Sequence, residues 1–570
     1  MRMTGGELLV RMLESEGVEV VYGVVGGKIG PILNAIHQSD QIEYIGTRHE
    51  AHASHMACAT FDATGKMGVC IGEIGAGASN LVPGVASAFG NNIPLLVITS
   101  NNPTSLTYPF KDMYMDLDAE NLYKPITKWN AVVRDARRIP ELVRWAFREA
   151  LSGKPGPVHL DIPTDVIFKQ VDVDEREFEI SPQRYRVVRR PRGDATLIEA
   201  AADLLAGAQR PVLLAGGGVV MAEATDEFRA LAKLLDAPAT ATQKGIGVVP
   251  STDPNFIGTS GILGGNAIVH ALTEADVALV VGCRLTSWMW DGQGPLVRGW
   301  PQQKVIHVDI SPSVIGKNTL VEVGIEGDAK AVLTDLLAAL EERIEPVQGR
   351  SWTRYLVDIY QRYREALEKE ASDRSQAVMH PATLAKAVGE FIPEDALVVY
   401  DGGHTAFWSN DFTPVLKPRT RFFEQGMGIL GFGVPYAHAI KKLYPDRPVF
   451  HITGDGSFGF ALQELDTARR YNLPVIHIIH NNEAWGIIKA GQLKRYGYTI
   501  GSDLSGTQYA EIAKSFGCYG ERITDPDQIK PALRRAVESG LPAVLDCLVR
   551  FEPHLSSDIF MEMGFIGLER

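Results

Sequence analysis

Cysteine is scarce in this chain of 570 residues, and its five cysteines form no Cys-x-x-Cys pair. They are scattered through apolar stretches, at positions 58, 70, 283, 518 and 547. A disulfide framework or a structural zinc site would need cysteines at closer, regular spacing. The sequence therefore predicts small core residues in a reducing compartment, and the cytoplasm is the expected location.

Long apolar runs are also missing, since no hydrophobic stretch reaches the ~18 residues of a membrane span. Residues 4–7 have the pattern of a capping box before a short helix, which differs from a signal peptide. Positive charge is not in excess, because the net charge is −13 at pH 7. We therefore expect no membrane span and no nucleic-acid partner, and a small molecule as substrate.

Strand-like and helix-like segments alternate along the chain, which predicts α/β domains with mainly parallel sheets and helices on both faces. The length suits about three domains. A polar stretch at 171–193 and a charged helical linker at 352–373 divide the chain. We place an N-terminal domain at 1–170, a central Rossmann-like domain at 194–345, a third domain at 375–550 and a tail at 551–570. By its position, the tail is expected to act as a lid over the site.

The most informative stretch runs from Gly454 to Asn482. One predicted buried strand ends in Gly-Asp-Gly-Ser at 454–457, and the next ends in Asn481-Asn482. The carboxyl ends of parallel strands are where open α/β sheets bind ligands. One carboxylate (Asp455), one amide oxygen (Asn482) and a diphosphate form a ligand set that suits Mg²⁺. A Gly-Asp-Gly triplet by itself is more often a plain turn.

Gly454 precedes Asn482 by 28 residues, with a helix and a strand predicted between them. This arrangement resembles the thiamine diphosphate motif of the acetolactate synthase and 2-oxoacid decarboxylase superfamily, and the resemblance covers nearly the whole chain. It implies thiamine diphosphate and Mg²⁺ as cofactors, with Asp455, Asn482 and the Ala484 carbonyl as metal ligands. It also implies a homodimer or homotetramer, in which the N-terminal domain of one chain faces the third domain of another.

Arg48-His49-Glu50 is similar to the Arg-His-Glu signature of this superfamily. The resemblance implies that the Glu50 carboxyl binds N1′ of the cofactor's aminopyrimidine and favours the imino tautomer that removes the C2 proton. The alternative is a surface glutamate that starts a helix and interacts with its dipole. The loop at 75–80 resembles the family's Gly-Pro-Gly-x-x-Asn loop, with Ala76 in place of proline, and adds Asn80 to the cofactor contacts.

The resemblance also assigns cofactor contacts in the third domain. Leu430 stands where a bulky apolar side chain wedges the cofactor into its V shape, and the Met427 backbone is expected near the aminopyrimidine. Side chains of this kind are also typical of a plain core. The expected cofactor contacts are Glu50, Asn80, Gly403, His404, Met427, Leu430, Gly456, Ser457, Asn482 and Trp485.

Three residues are expected to contact the substrate or to take part in its reaction. Met115 occupies the position where many relatives have a glutamine or glutamate, and a thioether is a weak hydrogen-bonding group. Glu483, at a position that lies near the reacting carbon in relatives, is expected to be a second catalytic residue that transfers protons. Its alternative role is a solvated glutamate that caps the next helix. Gly27, in a turn after the first long strand, is an expected substrate contact.

The central domain lacks Gly-x-Gly-x-x-Gly, so it has no dinucleotide fingerprint. In the superfamily this domain binds FAD, ADP, the adenylate of CoA, or nothing, and here we expect ADP or CoA. The run around Arg284 resembles oxalyl-CoA decarboxylases and 2-hydroxyacyl-CoA lyases, and Arg419 adds a cation that suits a CoA phosphate. A structural arginine at a strand end is the alternative for Arg284.

These features favour a thiamine diphosphate- and Mg²⁺-dependent C–C lyase or carboligase that works through a C2 carbanion or enamine. We expect a 2-hydroxyacyl-CoA lyase, which forms formyl-CoA and an aldehyde or ketone. The alternative is a 2-oxoacid decarboxylase or carboligase of the acetolactate synthase or benzaldehyde lyase type. Against acyl-CoA, Gly486 replaces a tyrosine of the oxalyl-CoA decarboxylases. A non-catalytic regulator with the same fold is a third hypothesis, and the presence of Glu50, Asp455 and Asn482 argues against it.

Overall fold

The computed structural model describes residues 1–107, 109–259, 265–290 and 294–558. Within these ranges, helices and strands alternate and build three parallel sheets of six strands each. The predicted fold class is confirmed: the protein has three α/β domains with helices on both faces of the sheets. The strands of the three sheets fall inside 1–170, 194–345 and 375–550. No described helix is long and apolar enough to cross a membrane.

The first domain contains strands β1 (Arg2–Thr4), β2 (Val20–Gly23), β3 (Glu43–Gly46), β4 (Gly68–Gly72), β5 (Leu95–Asn101), β6 (Trp129–Val132), β7 (Val158–Pro163) and β8 (Gln170–Asp172). Its helices are α1 (Gly5–Ser15), α2 (Gly30–His37), α3 (Glu50–Thr64), α4 (Ala76–Asn80), α5 (Val82–Asn91), α6 (Ala119–Tyr123), α7 (Ile139–Leu151) and α8 (Thr164–Phe168). The strand order is β3-β2-β4-β5-β7-β6, and β1 pairs with β8 in a separate antiparallel ribbon.

Alternate residues of β4 show why this sheet is covered on both faces. Val69 and Ile71 pack with α1, α2 and α7, whereas Cys70 packs with α3 and α5 on the other face. Because both faces are buried, the strand is an almost continuous apolar run, as expected for a parallel sheet between helices.

The central domain contains β9 (Pro211–Ala215), β10 (Ala239–Ala241), β11 (Phe256–Thr259), β12 (Val277–Val281), β13 (Lys304–Asp309) and β14 (Val323–Glu326). Its helices are α9 (Ala195–Ala206), α10 (Gly217–Met221), α11 (Thr225–Leu235), α12 (Gly265–Glu274) and α13 (Ala329–Glu341). The strand order is β11-β10-β9-β12-β13-β14. Successive strands are added on one side of β9 as far as β11, and on its other side from β12 onward. Such a switch point opens a crevice at the carboxyl ends of the strands. Helix α14 (Ser351–Ala371) then leads to the third domain.

The third domain contains β15 (Leu397–Asp401), β16 (Arg421–Phe422), β17 (Val449–Gly454), β18 (Ile476–Asn481), β19 (Tyr519–Ile523) and β20 (Ala543–Leu548). Its helices are α15 (Pro381–Phe391), α16 (His404–Phe412), α17 (Gly433–Leu443), α18 (Asp455–Gly459), α19 (Leu465–Arg470), α20 (Gly486–Tyr496), α21 (Tyr509–Ser515) and α22 (Ile529–Glu538). The strand order is β16-β15-β17-β18-β20-β19, so the switch point lies between β15 and β17. The helix expected between Gly454 and Asn482 is divided into α18, a 3-10 turn (Leu462–Glu464) and α19.

The first and third domains share one apolar core. Helices α3 and α17 lie in it together with side chains from the first sheet, such as Tyr22, and from the third sheet, such as Leu397. Small residues on both helices, including Ala57 and Ala437, allow this close packing. The core therefore fixes α3, whose first residue is Glu50, against the third domain of the same chain.

A buried carboxylate strengthens this domain contact. Glu464 is fully buried and accepts a hydrogen bond from the Arg48 backbone N–H at 2.9 Å. The same carboxyl group contacts His52 Nδ1 at 2.7 Å and accepts from the Thr467 hydroxyl at 2.5 Å. Because Arg48 and His52 flank Glu50 in the sequence, Glu464 holds the turn that carries Glu50.

Replacing Glu464 with alanine is expected to lower the free energy of unfolding by about 2–3 kcal/mol, because it leaves buried donors unpaired. The measurement is the shift of the first urea unfolding transition, followed by tryptophan fluorescence. Asp466→Asn is the matched control, since the ion pairs of Asp466 with Arg48 and Arg470 are partly exposed and such pairs contribute at most ~1 kcal/mol. Equal shifts of the unfolding transition in the two variants would contradict the proposal that Glu464 stabilises the contact between the first and third domains.

Candidate active site

The candidate site lies at the carboxyl ends of β15, β17 and β18. Asp455 follows β17 directly and is 2% exposed, and Asn482 follows β18. These two strands are neighbours, with Gly454 paired to His480. The parallel register therefore brings Asp455 and Asn482 to the same edge, as the sequence spacing predicted.

A cavity of about 270 Å³ lies at this edge. Its walls come almost entirely from the third domain, with Trp288 added by the central domain. Most of the predicted cofactor contacts of the third domain line it, together with the predicted metal ligands: Gly403, His404, Leu430, Asp455, Gly456, Ser457, Asn482, Ala484 and Trp485.

The donor set fits a divalent cation such as Mg²⁺. Burial raises the pKa of the Asp455 carboxyl to about 7, and hydrogen bonds from backbone N–H groups oppose the rise only in part. A nearby cation would offset this desolvation. The described residues contain no cluster of three or more His, Cys, Asp or Glu side chains suited to a metal. A cation here would therefore take its other ligands from amide and carbonyl oxygens and from phosphates, as Mg²⁺ does.

The cavity also fits a diphosphate. Two of its glycines allow close packing of the cavity wall, because a Cβ on Gly403 would lie 2.8 Å from Ile487 and one on Gly456 would lie 2.4 Å from Trp485. Helices α16 and α20 both begin at the cavity, at His404 and Gly486. Free N–H groups and the positive dipole ends of two helices favour an anion between them.

His404 lines this cavity and has one buried ring nitrogen without a partner among the described residues. The imidazole is 6% exposed, and its Nε2 lies 2.7 Å from the Ser557 hydroxyl. Its Nδ1 has no hydrogen-bond partner among the described residues. A bound anion would give this nitrogen a partner, which supports the predicted place of His404 among the cofactor contacts.

The loop that carries Met427 and Leu430 is held by Glu424, a residue that the sequence analysis did not single out. Glu424 is 4% exposed and accepts N–H groups of Met427 at 2.9 Å and Ile429 at 3.1 Å. Its carboxyl also accepts from Asn91 in the first domain at 2.6 Å. Leu430 lines the cavity, whereas the Met427 side chain is 55% exposed. Nothing in the local sequence marks Glu424 as buried.

The first domain gathers a second group of predicted residues at the edge of its own sheet. Glu50 is the first residue of α3, and its carboxyl accepts from Asn80 Nδ2 at 3.0 Å. Met115 has φ 66° and packs against Gly75, where a Cβ would lie 2.9 Å from Met115 Cβ. Gly27 is exposed in the turn after β2. These residues form one half-site, in which Glu50 and Asn80 meet directly.

The Asp455 cavity is the second half-site, and it does not include the first-domain group within one chain. No first-domain residue is among the described residues that line the cavity around Asp455. Glu483 is also outside this lining: it has φ 53°, and its carboxyl lies beside Gly506, where a Cβ would be 2.9 Å from Oε1. The proton-transfer role of Glu483 therefore stays a prediction.

The two arginines assigned to CoA lie elsewhere. Arg419 Nη1 donates to the carbonyl oxygens of Phe61 and Asp62 near the end of α3, both at 2.8 Å. Arg284 donates to the Gly90 carbonyl at 2.8 Å and lines a crevice of about 120 Å³ at the central switch point. Burial lowers the pKa of Arg284 from its ordinary value. Arg419 thus holds two domains together, and Arg284 alone faces the crevice where a nucleotide was expected.

Three protein-family models match the chain. They are described as the N-terminal TPP binding domain (residues 3–122), the central domain (198–336) and the C-terminal TPP binding domain (401–547) of thiamine pyrophosphate enzymes. The chain belongs to the thiamine pyrophosphate enzyme family. Both half-sites lie inside the two matched cofactor-binding domains.

Curated relatives of this family match nearly the whole chain. The chain is 34% identical to a probable acetolactate synthase large subunit of Methanocaldococcus jannaschii over 555 residues, which is 96% of this chain and 92% of the relative. It is 32% identical to an acetolactate synthase large subunit of Haemophilus influenzae over 544 residues, 94% and 92% of the two chains. A Corynebacterium glutamicum acetolactate synthase large subunit is also 32% identical over 556 residues, 96% and 87%.

The comparisons confirm an enzyme of the thiamine diphosphate superfamily. They do not support the expected 2-hydroxyacyl-CoA lyase, because these relatives bear the name given above as its alternative. The expectation relied in part on two short runs with an arginine each, and one of those arginines, Arg419, is engaged in a domain contact.

Asp455→Asn is expected to weaken Mg²⁺ binding by roughly 10- to 100-fold, because it removes the anionic ligand while the side-chain size is kept. The measurement is the Mg²⁺ concentration needed for half-maximal binding of thiamine diphosphate. Asp446→Asn, at an exposed aspartate just before β17, is the control. An unchanged Mg²⁺ requirement in Asp455→Asn would remove Asp455 from the metal site.

Proposed function

We propose that this chain is a thiamine diphosphate- and Mg²⁺-dependent carboligase of the acetolactate synthase type, which joins two 2-oxoacids with loss of CO₂. The buried Asp455 beside Asn482, above a glycine-lined cavity at the switch point, is the observation that carries this proposal. The names of the relatives, which match over nearly their full length, favour this reaction within the family. With pyruvate, two molecules would give one acetolactate and one CO₂.

The third domain is proposed to hold the cofactor. Asp455, Asn482 and the Ala484 carbonyl would bind Mg²⁺, and the N–H groups at the starts of α16 and α20 would bind the diphosphate. Leu430, on the cavity wall, would set the shape of the bound cofactor. Bound thiamine diphosphate supplies a nucleophilic carbon and accepts the electron pair that is released when CO₂ leaves.

The first domain is proposed to control a proton. The Glu50 carboxyl would hold the proton at N1′ of the aminopyrimidine, and the hydrogen bond from Asn80 fixes the orientation of that carboxyl. Glu464 acts at a distance by holding the turn around Glu50. Met115 presents an apolar surface to the substrate at this half-site, which leaves the reacting oxygens to backbone donors and to water.

We propose that the complete site forms between two copies of this chain. Large apolar side chains are exposed near both half-sites: Val25 (71%) and Tyr114 (83%) on the first domain, and Phe460 (56%) and Ile488 (55%) on the third. Such exposed apolar groups favour a protein interface. In a homodimer, Glu50 of one chain would reach the Asp455 cavity of the other.

The central crevice is proposed to bind the phosphates of a nucleotide such as ADP or CoA. Lys154 and Arg284 line it, together with Asp309, which is the last residue of β13. Two cations suit phosphate, and an acid at a strand end suits a ribose hydroxyl. This crevice is separate from the Asp455 cavity, so the proposed reaction does not depend on its occupant.

The purified protein, supplied with thiamine diphosphate, Mg²⁺ and pyruvate, is expected to release CO₂ and form acetolactate, detected by mass spectrometry. A parallel reaction with a 2-hydroxyacyl-CoA is expected to yield no formyl-CoA. Asp455→Asn is the inactive control. Formyl-CoA in the second reaction and no acetolactate in the first would reverse the proposed substrate class.

Glu50→Gln is expected to lower kcat by at least about 100-fold, because glutamine keeps the size of the side chain but cannot hold the N1′ proton. Binding of thiamine diphosphate should persist, since the diphosphate and metal contacts lie on the third domain. Glu19→Gln, an exposed glutamate of the same domain, is the control. Full turnover by Glu50→Gln would show that this carboxyl has no part in proton control.

A further inference from the structure

A C-terminal segment, residues 551–558, contacts both of the helices that begin at the cofactor cavity. The Trp408 indole in α16 donates to the Glu552 carbonyl at 3.4 Å, and His554 Nε2 lies 3.0 Å from the Asp411 carboxyl, also in α16. At its other end, Asp558 pairs with Lys494 of α20 at 2.8 Å. The segment therefore spans α16 and α20 behind the proposed diphosphate site.

One contact of this segment reaches a cavity-lining side chain. The Ser557 hydroxyl lies 2.7 Å from His404 Nε2, and both side chains are buried. Burial lowers the pKa of His404 to about 3, so the ring is neutral at physiological pH and carries one proton. The other nitrogen, Nδ1, has no partner among the described residues, and a Cβ on Gly486 at the start of α20 would lie 3.6 Å from it.

We propose that Ser557 is a positioning residue for the diphosphate group of the cofactor. Its hydroxyl donates to Nε2 of His404, which places the single ring proton on Nδ1, the ring nitrogen that has no partner among the described residues. The Nδ1–H group then donates to a phosphate oxygen. His404 contacts the cofactor, and Ser557 acts only through His404.

The direction of the Ser557–His404 hydrogen bond follows from the charge of the ligand. A neutral imidazole has one donor and one acceptor nitrogen. If Ser557 accepted from Nε2–H, the lone pair of Nδ1 would face an anionic phosphate, which is repulsive. For a neutral ring with a diphosphate bound, the hydroxyl is therefore the donor, because a hydrogen bond at one ring nitrogen of a histidine fixes the role of the other. By linkage, the cofactor and the packing of Ser557 stabilise each other.

This inference rests on the proposed binding of thiamine diphosphate, and its test measures binding rather than turnover. Trp485 lines the cavity, so quenching of tryptophan fluorescence at fixed Mg²⁺ reports the cofactor affinity. Ser557→Ala is expected to weaken that affinity about three- to tenfold, the effect of losing one neutral hydrogen bond. Ser557→Thr, which keeps the hydroxyl, should restore most of the affinity.

Two controls separate this role from a general loss of packing. Ser556→Ala changes the neighbouring buried serine, which interacts with Tyr363 of α14, and should leave the affinity within about twofold of the wild type. In a His404→Ala background, Ser557→Ala should have no further effect, because the two residues act as one unit.

The outcomes separate the two proposals. A wild-type protein that shows no quenching by thiamine diphosphate would overturn both the proposed function and this inference. Binding by the wild type with the same affinity in Ser557→Ala would overturn the role of Ser557 alone. The role would also be overturned if Ser557→Ala lowered the affinity for thiamine diphosphate equally in the wild type and in the His404→Ala background. Ser557 would then act independently of the histidine.

Discussion

A carboxylate buried at the end of a parallel strand needs hydrogen bonds or a cation to replace its lost water. The third domain meets this need at both strands of its switch point. Asp401 ends β15 and accepts the N–H groups of Gly431 and Gly433, both at 2.9 Å, so it closes the loop that carries Leu430 over the cavity. Asp455 follows β17, where backbone N–H groups supply part of its compensation and a bound cation would supply the rest. Burial raises the pKa of each carboxyl to about 7. The strand order therefore places both buried carboxyl groups at the edge of the sheet where the cavity lies.

The sequence predicts the parts of this arrangement that depend on local pattern. Buried parallel strands are short runs of branched apolar residues, and runs of this kind form β9 and β12 in the structure. Asp455 and Asn482 follow such runs, and the register of two neighbouring parallel strands brings their ends together. Fold class and half of the site were predictable because the strands are recognisable apolar runs and these site residues directly follow them in the sequence.

Residues that act across domains could not be predicted in this way. Glu464 contacts Arg48, 416 positions away, and nothing in the helical stretch around it in the sequence marks it as buried. Ser557 contacts His404 over 153 positions, in a tail for which only a lid was expected. Arg419 shows the opposite error: a cation in a loop suits a phosphate equally well as a carbonyl oxygen, and the fold supplies the carbonyl oxygens of α3. Local pattern does not distinguish these partners, because burial and distance are set by the packing of whole domains.

The shared core of the first and third domains explains why one chain holds two half-sites. Helix α3 is buried along most of its length between the two sheets, and its N-terminal residue Glu50 stays only partly buried. Glu50 is not among the described residues that line the cavity of its own chain, and neither is any other first-domain residue. A second copy related by a twofold axis would place each Glu50 at the opposite cavity, and the same contact would be made twice. In the proposed dimer the cofactor touches both chains, so cofactor binding and association must strengthen each other by mass action.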